Sequence, residues 1–234
     1  GIDVAKLCFE SDKETLSRTE NSQIAIFTHS MAALAALREN GVAFKAAAGF
    51  SLGEYTSLAA AGVVTLADGV KIVSKRGKLM QHAADTIDGG MAAILGLEDA
   101  KIEEACAAVK NGIVRPVNYN CPGQLVIAGE KAALAEAIEN CKAAGARRAL
   151  PLAVSGAFHT PLMAEAAAEL RAFVSDFAFS APTMDIYSNL DGQVYDCSNL
   201  PEHLEQHMIS PVRWTRLVQN GMAAGLTSAC EVGP

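Results

Sequence analysis

Apolar and polar positions follow two different periods along this chain. Residues 22–39 (SQIAIFTHSMAALAALRE) carry apolar side chains at helical spacing, with Ser22 placed to cap the helix and Asn40-Gly41 to end it. Phe44 to Phe50 is a short apolar run of the length of a buried strand. Helical patterns follow over 52–61 and 66–84, until Asp88-Gly89-Gly90 interrupts them.

Beyond that break, strand patterns at 91–96, 115–120, 124–129 and 146–154 alternate with helical ones at 98–110 and 131–145. Cys121-Pro122-Gly123 joins the two middle strands. The order β-α-β-β-α-β is ferredoxin-like. The predicted architecture is therefore an α/β core formed by residues 1–89 and 155–234, with a small insert over 90–154. After the insert, Ser155 and Gly156 read as loop residues and 161–177 as a helix. The tail mixes short strands with a helix near 211–224.

Composition narrows the function classes. With 234 residues, 50% hydrophobic and 19% charged, the chain can bury a sizeable core. No apolar run approaches the ~18–20 residues of a membrane span, and no charged-then-apolar signal segment opens the sequence. The six cysteines show no C-x-x-C pair or metal spacing, so they read as reduced thiols in a cytoplasmic protein. A net charge of −7 argues against nucleic-acid binding. Basic clusters at Lys71, Lys75, Arg76 and Lys78, and at Lys142, Arg147 and Arg148, have the look of solvated helix faces.

Candidate chemistry begins at G-F-S-L-G, residues 49–53. Two glycines can simply mark a corner, since glycine accepts positive φ at little cost. The surroundings, however, supply the strand, tight turn and helix that a nucleophile elbow requires, with Ser51 at the turn. That position is also a helix N-terminus, which favours developing negative charge. A serine needs a base. His29 and His82 fall within helical patterns, and His203 and His207, four apart, lack a third metal ligand and the H-E-x-x-H order. His159 follows a strand end and precedes Thr160-Pro161, a helix start, which makes it the best candidate base. Asp85, Asp88 and Asp99 lie in none of the places a triad acid would occupy, so a dyad with His159 oriented by a main-chain carbonyl fits better.

GFSLGEY, KRGKLMQ, VNYNCPGQLVIAG, SGAFHTPLM, SPVRWT and EVGP occur in an order that resembles the bacterial malonyl-CoA:acyl carrier protein transacylases. The resemblance extends over essentially the whole chain. It implies an α/β-hydrolase-like core with a parallel sheet and a ferredoxin-like insert. It also implies Ser51 as nucleophile, His159 as base, Arg76 as partner of the malonyl carboxylate and the Leu52 N–H as an oxyanion donor. Asn118, Asn120 and Gln124 match the stretch whose polar side chains help order the active-site loops. Phe158, in GAFH, is similar to the residue that precedes the histidine in malonyl-using members, where a bulky ring disfavours an α-methyl branch. Malonyl-CoA and the phosphopantetheine thiol of acyl carrier protein are the implied substrates, with no bound cofactor, metal, nucleic acid or membrane, and a monomer is expected.

Three departures accompany the resemblance. Phe50 stands where the family usually has a histidine beside the nucleophile. The family's first strand and GQG loop, source of a second oxyanion donor worth ~2.7–4 kcal/mol, have no counterpart in the sequence. Nor does the glycine-rich segment that would follow Pro234, so the chain reads as a fragment trimmed at both ends. A serine esterase or thioesterase would use the same elbow, and an inactive domain that only binds CoA or carrier protein is a third reading.

Overall fold

The structure is a computed structural model that describes residues 2–154 and 156–233; Ser155, read above as a loop residue, lies outside them. The chain opens with helices α1 (Val4–Glu10), α2 (Lys13–Ser17) and α3 (Thr19–Glu39). Strand β1 (Ala46–Ala48), α4 (Leu52–Ala60) and α5 (Leu66–Thr86) follow. Next come β2 (Gly89–Leu95), α6 (Asp99–Ala107), β3 (Val114–Cys121), β4 (Gln124–Glu130), α7 (Lys131–Ala143) and β5 (Arg148–Pro151). A 3-10 turn at Pro161–Met163 leads into α8 (Ala164–Val174), then β6 (Asp185–Tyr187), α9 (Leu200–Ile209) and α10 (Trp214–Ala223).

Local chemistry accounts for most boundaries. Asp3, Asp12 and Thr65 each accept a main-chain N–H in the first turn of α1, α2 and α5. Helix α3 starts three residues before the expected Ser22 because a tertiary contact replaces the cap: Gln81 Oε1, on α5, accepts the Thr19 N–H at 2.7 Å. Close packing of the same two helices depends on Gly77, where a Cβ would approach the Glu20 main chain to 3.1 Å. The helix expected over 161–177 splits, with Thr160 capping the 3-10 turn and Pro161 at its first position.

Two sheets result. β1 and β6 form a parallel pair, with Ala47 opposite Ile186. The other sheet is antiparallel throughout, in the order β3-β4-β2-β5. Both shortened strands have a physical reason. The run 44–50 is paired only over Ala46–Ala48 because the chain then turns toward Ser51. Strand β5 is an edge strand ending at Pro151, which has no N–H to donate.

The main core gathers Ile24, Phe27, Leu58, Ile72, Leu170 and Ile186 between the long helices and the parallel pair. A second cluster, including Ile94, Ile102, Leu125, Ile127 and Ala137, fills the space between the antiparallel sheet and α6 and α7. Alternate residues of β4 point the other way, so Val126 and Ala128 join Met91 and Val117 on the opposite face. Burial on both faces explains why β4 reads as an unbroken apolar run. Phe158 packs against both this small cluster and the main core, at the seam where His159 sits.

Ile127 has no exposed surface. Ile127→Ala should lower stability by about 2–5 kcal/mol in a urea titration, the usual cost of a truncated core residue.

Candidate active site

Ser51 lies between β1 and α4 with φ 50° and ψ −100°, a region L-residues rarely occupy. The turn is tight enough that a Cβ on Gly49 would fall 1.9 Å from the Gly53 carbonyl carbon. A Cβ on Gly53 would meet nothing within 4 Å, so steric need rests on the first glycine. Leu52 is the first residue of α4, where a helix N–H has no partner within the helix.

The Ser51 Oγ is 2.9 Å from His159 Nε2. His159 Nδ1 faces two main-chain carbonyls, His207 at 3.0 Å and Ser210 at 3.1 Å. With two acceptors there, the ring proton resides on Nδ1 and leaves Nε2 free to accept from the serine. Burial, followed by the nearby Arg76 charge, pushes the His159 pKa down to about 4, against the smaller opposing effect of the two carbonyls. The imidazole is therefore neutral, as a base must be.

Arg76, read from its neighbours as part of a solvated helix face, is completely buried. Its Nη1 donates to Gln23 Oε1 at 2.6 Å and its Nη2 to Ser51 Oγ at 3.0 Å. The Tyr55 ring lies beneath the guanidinium, 4.9 Å from ring centre to Cζ. Among the described residues Nε has no hydrogen-bond partner and no carboxylate pairs with the group. Burial is accordingly the main influence on its pKa, which is lowered.

The remaining expected residues are spread more widely. Phe50 is half-exposed and meets the Trp214 ring edge-on at 5.7 Å. Phe158 occupies room left by Gly156, whose Cβ would otherwise lie 2.2 Å from its ring. Asn118 and Asn120 lie on β3 with their Oδ1 atoms buried and unpartnered among the described residues. It is the main chain of β3 that reaches toward the site: the Tyr119 N–H donates to Val212 and the Val212 N–H to Val117, bracing the segment that carries Ser210. Gln124 opens β4 at the hairpin and accepts a weak bond from Cys121 Sγ at 3.7 Å. His29 and His82 are exposed on their helices, whereas His203 and His207 both turn toward the buried Glu54. Gln23, Asn189 and Glu54 were missed by sequence reasoning, and no spacing signal marks Gln23 or Asn189 as neighbours of Ser51.

A strained serine, a neutral histidine within hydrogen-bond reach and a helix N-terminus behind them are the parts that acyl transfer through a serine ester would use. The family described as "Acyl transferase domain" matches residues 1–234. The malonyl CoA-acyl carrier protein transacylase of Salmonella typhimurium is 43% identical over 237 positions, covering 100% of this chain and 77% of that protein. Its Staphylococcus aureus counterpart is 38% identical, with 100% and 76% covered. The acyl carrier protein S-malonyltransferase of Vibrio cholerae superposes with a TM-score of 0.95 at 40% identity, over 100% of this chain and 78% of that one. A malonyl-transacylase solved in complex with a type II PKS acyl-carrier protein gives 0.97 at 39% identity, over 100% and 77%. The chain belongs to the acyl transferase domain family.

Acylation of Ser51 by free enzyme should keep its full rate down to about pH 5 and decline as pH falls through about 4, read from the kcat/KM profile. An unperturbed imidazole would place that limb near its ordinary 6.5. Stability follows the same sign. Between 6.5 and about 4 only the unfolded chain binds this proton, so the contribution of His159 is complete above 6.5 and lost as pH drops through about 4.

Proposed function

We propose that this chain moves a malonyl group from malonyl-CoA to the phosphopantetheine thiol of an acyl carrier protein, in fatty-acid biosynthesis. The observation that carries the reading is Arg76, a buried cation that touches the candidate nucleophile and pairs with no carboxylate among the described residues. Its Nη1 donates to Gln23 and its Nη2 to Ser51 Oγ, while Nε has no partner among the described residues, so Nε and the second Nη2 proton remain for a substrate carboxylate. That edge binds a carboxylate through two parallel N–H···O bonds, a fit lysine does not offer. The names of the relatives, transacylases acting between malonyl-CoA and acyl carrier protein, agree with it.

The chemistry then runs in two symmetrical halves. Ser51 Oγ attacks the thioester carbon while His159 Nε2 takes its proton, and the developing oxyanion is met by the Leu52 N–H. The C–S bond breaks, His159 returns the proton to sulfur, and CoA leaves a malonyl ester on Ser51. The carrier protein's thiol next gives its proton to His159 and attacks that ester, regenerating Ser51. Phe158, directly before the base, crowds an α-methyl substituent and contributes the ~1–3 kcal/mol that one methyl can decide. Phe50 leaves a ring where the resembling enzymes place a histidine, and Asn118, Asn120 and Gln124 belong to the hairpin whose main chain braces the segment that carries Ser210, one of the base's carbonyl partners.

The same reading divides the chain into an α/β-hydrolase-like core, 1–89 and 155–234, and a ferredoxin-like subdomain over 90–154. The β-α-β-β-α-β order and the antiparallel β3-β4-β2-β5 arrangement support the second part. Six free cysteines suit a reducing cytoplasm, and a dyad complete within one chain is compatible with the expected monomer. No helix of the described residues is long and apolar enough to cross a membrane.

Malonyl-CoA should add one malonyl group to the full-length protein, mapped to Ser51 by peptide mass spectrometry; labelling of a cysteine, or of Ser51→Ala, would overturn the proposal. Arg76→Ala should raise acetyl transfer relative to malonyl, and an unchanged ratio would mean that the carboxylate is read elsewhere. His159→Ala should slow acyl-enzyme formation ~10²–10⁴-fold in a rapid-quench assay, the usual share of a general base.

A further inference from the structure

Asn189 lies just beyond β6 and reaches across to the elbow with both ends of its carboxamide engaged. Its Oδ1 accepts the Ser51 N–H at 2.7 Å, and its Nδ2 donates to the Gly49 carbonyl at 2.7 Å. Those two main-chain groups flank the turn, so one side chain closes it from outside as a paired strand would. The amide orientation is forced, because turning it over would set NH₂ against an N–H and oxygen against a carbonyl. Asn189 is fully buried, and its own N–H donates at 2.7 Å to Glu54 Oε2, equally buried in the first turn of α4.

A second connection runs from the same carboxamide to the base. His207 Nε2 donates to Asn189 Oδ1 at 3.3 Å and lies 3.7 Å from Glu54 Oε2, while the His207 carbonyl accepts from His159 Nδ1. Two acceptors face His207 Nε2 and none of the described residues bonds its Nδ1, which places the single ring proton on Nε2. Nucleophile and base are thus both referred to one side chain that touches neither reacting atom.

We propose that Asn189 is a positioning residue of the acyl transfer, holding Ser51 in its strained backbone conformation and, through His207, setting the Ser51–His159 distance. The inference rests on Ser51 being the residue that is acylated. Its warrant is geometric, since a misplacement of about 1 Å costs ~10²-fold in rate while substrate contacts elsewhere are unaffected.

Asn189→Ala removes both clamp bonds. Asn189→Asp keeps the shape and one acceptor, but sets a carboxylate oxygen against the Gly49 carbonyl and beside Glu54. Burial and that neighbouring carboxylate raise the introduced acid's pKa. Once protonated, its O–H can donate to Gly49 and restore the clamp. The groups that face this position are Glu54 and His207, with His203 and Tyr195 on the far side of Glu54 and Arg76 and His159 beside His207.

The test is single-turnover transfer of labelled malonyl from malonyl-CoA to Ser51 in the full-length protein, between pH 5.5 and 8. Each variant is assayed at a temperature where circular dichroism shows it folded. Asn189→Ala should acylate ~10²-fold more slowly, with KM for malonyl-CoA within about threefold of native. Asn189→Asp should be as slow at pH 8 and recover relative to native protein toward pH 5.5. A folded Asn189→Ala at native rate, or a loss confined to KM, would overturn the proposal. If the alanine variant does not fold, the Asp variant decides alone, and a ratio to native that does not change with pH is fatal. Native protein that gives no malonyl-Ser51 would sink the acyl-serine reading and this inference together, whereas normal native labelling with an undiminished variant sinks only this one.

Discussion

A serine held at φ 50° and ψ −100° costs of order 1–3 kcal/mol, and Ser51 stays there because the chain on both sides is fixed. Gly49 lets the end of β1 press against the first turn of α4, and Asn189 bonds the main chain before and at the serine. Glu54 holds Asn189 in turn. The consequence is chemical: with Ser51's own N–H committed to Asn189, the free N–H beside the nucleophile belongs to Leu52, at the positive end of the helix dipole.

Arg76 shows the opposite balance between stability and function. A buried guanidinium without a counter-charge carries a desolvation penalty of several kcal/mol, relieved here by Gln23, Ser51 Oγ and the Tyr55 face. An arrangement optimised for folding alone would supply a carboxylate. No carboxylate fills that place among the described residues, which leaves it to the substrate in the proposed reaction; after burial, the Arg76 charge is the next cause of the lowered His159 pKa. In the proposed reaction one residue thereby serves both recognition and the base.

The antiparallel sheet is coupled to this chemistry through main-chain bonds. Strand β3 pairs with Val212, fixing the segment whose carbonyls, from His207 and Ser210, orient His159. Thr215 adds a bond to the Tyr119 carbonyl at 3.0 Å. A carboxylate in place of those carbonyls would draw the ring pKa upward, so a dyad oriented by neutral dipoles suits a histidine that must remain unprotonated.

Local physics made much of this legible in the sequence by itself. The G-x-S-x-G turn, the change of rhythm after Gly90 and the short apolar runs of β2 to β5 depend on residues close together in the chain, and their element order survives in the structure. Ser51 and His159 stood out as candidates because a turn and a strand end each leave a local mark, and the fold brings them to 2.9 Å. The burial of Arg76 left none: its basic neighbours on α5 mask a residue that the packing of α3 and α4 against α5 encloses. The partnership of Gln23, Asn189 and Glu54 with the site spans up to 138 positions between Ser51 and Asn189. Periodicity reports which face of an element is buried but not what it meets across the core, and that was decided by tertiary structure alone.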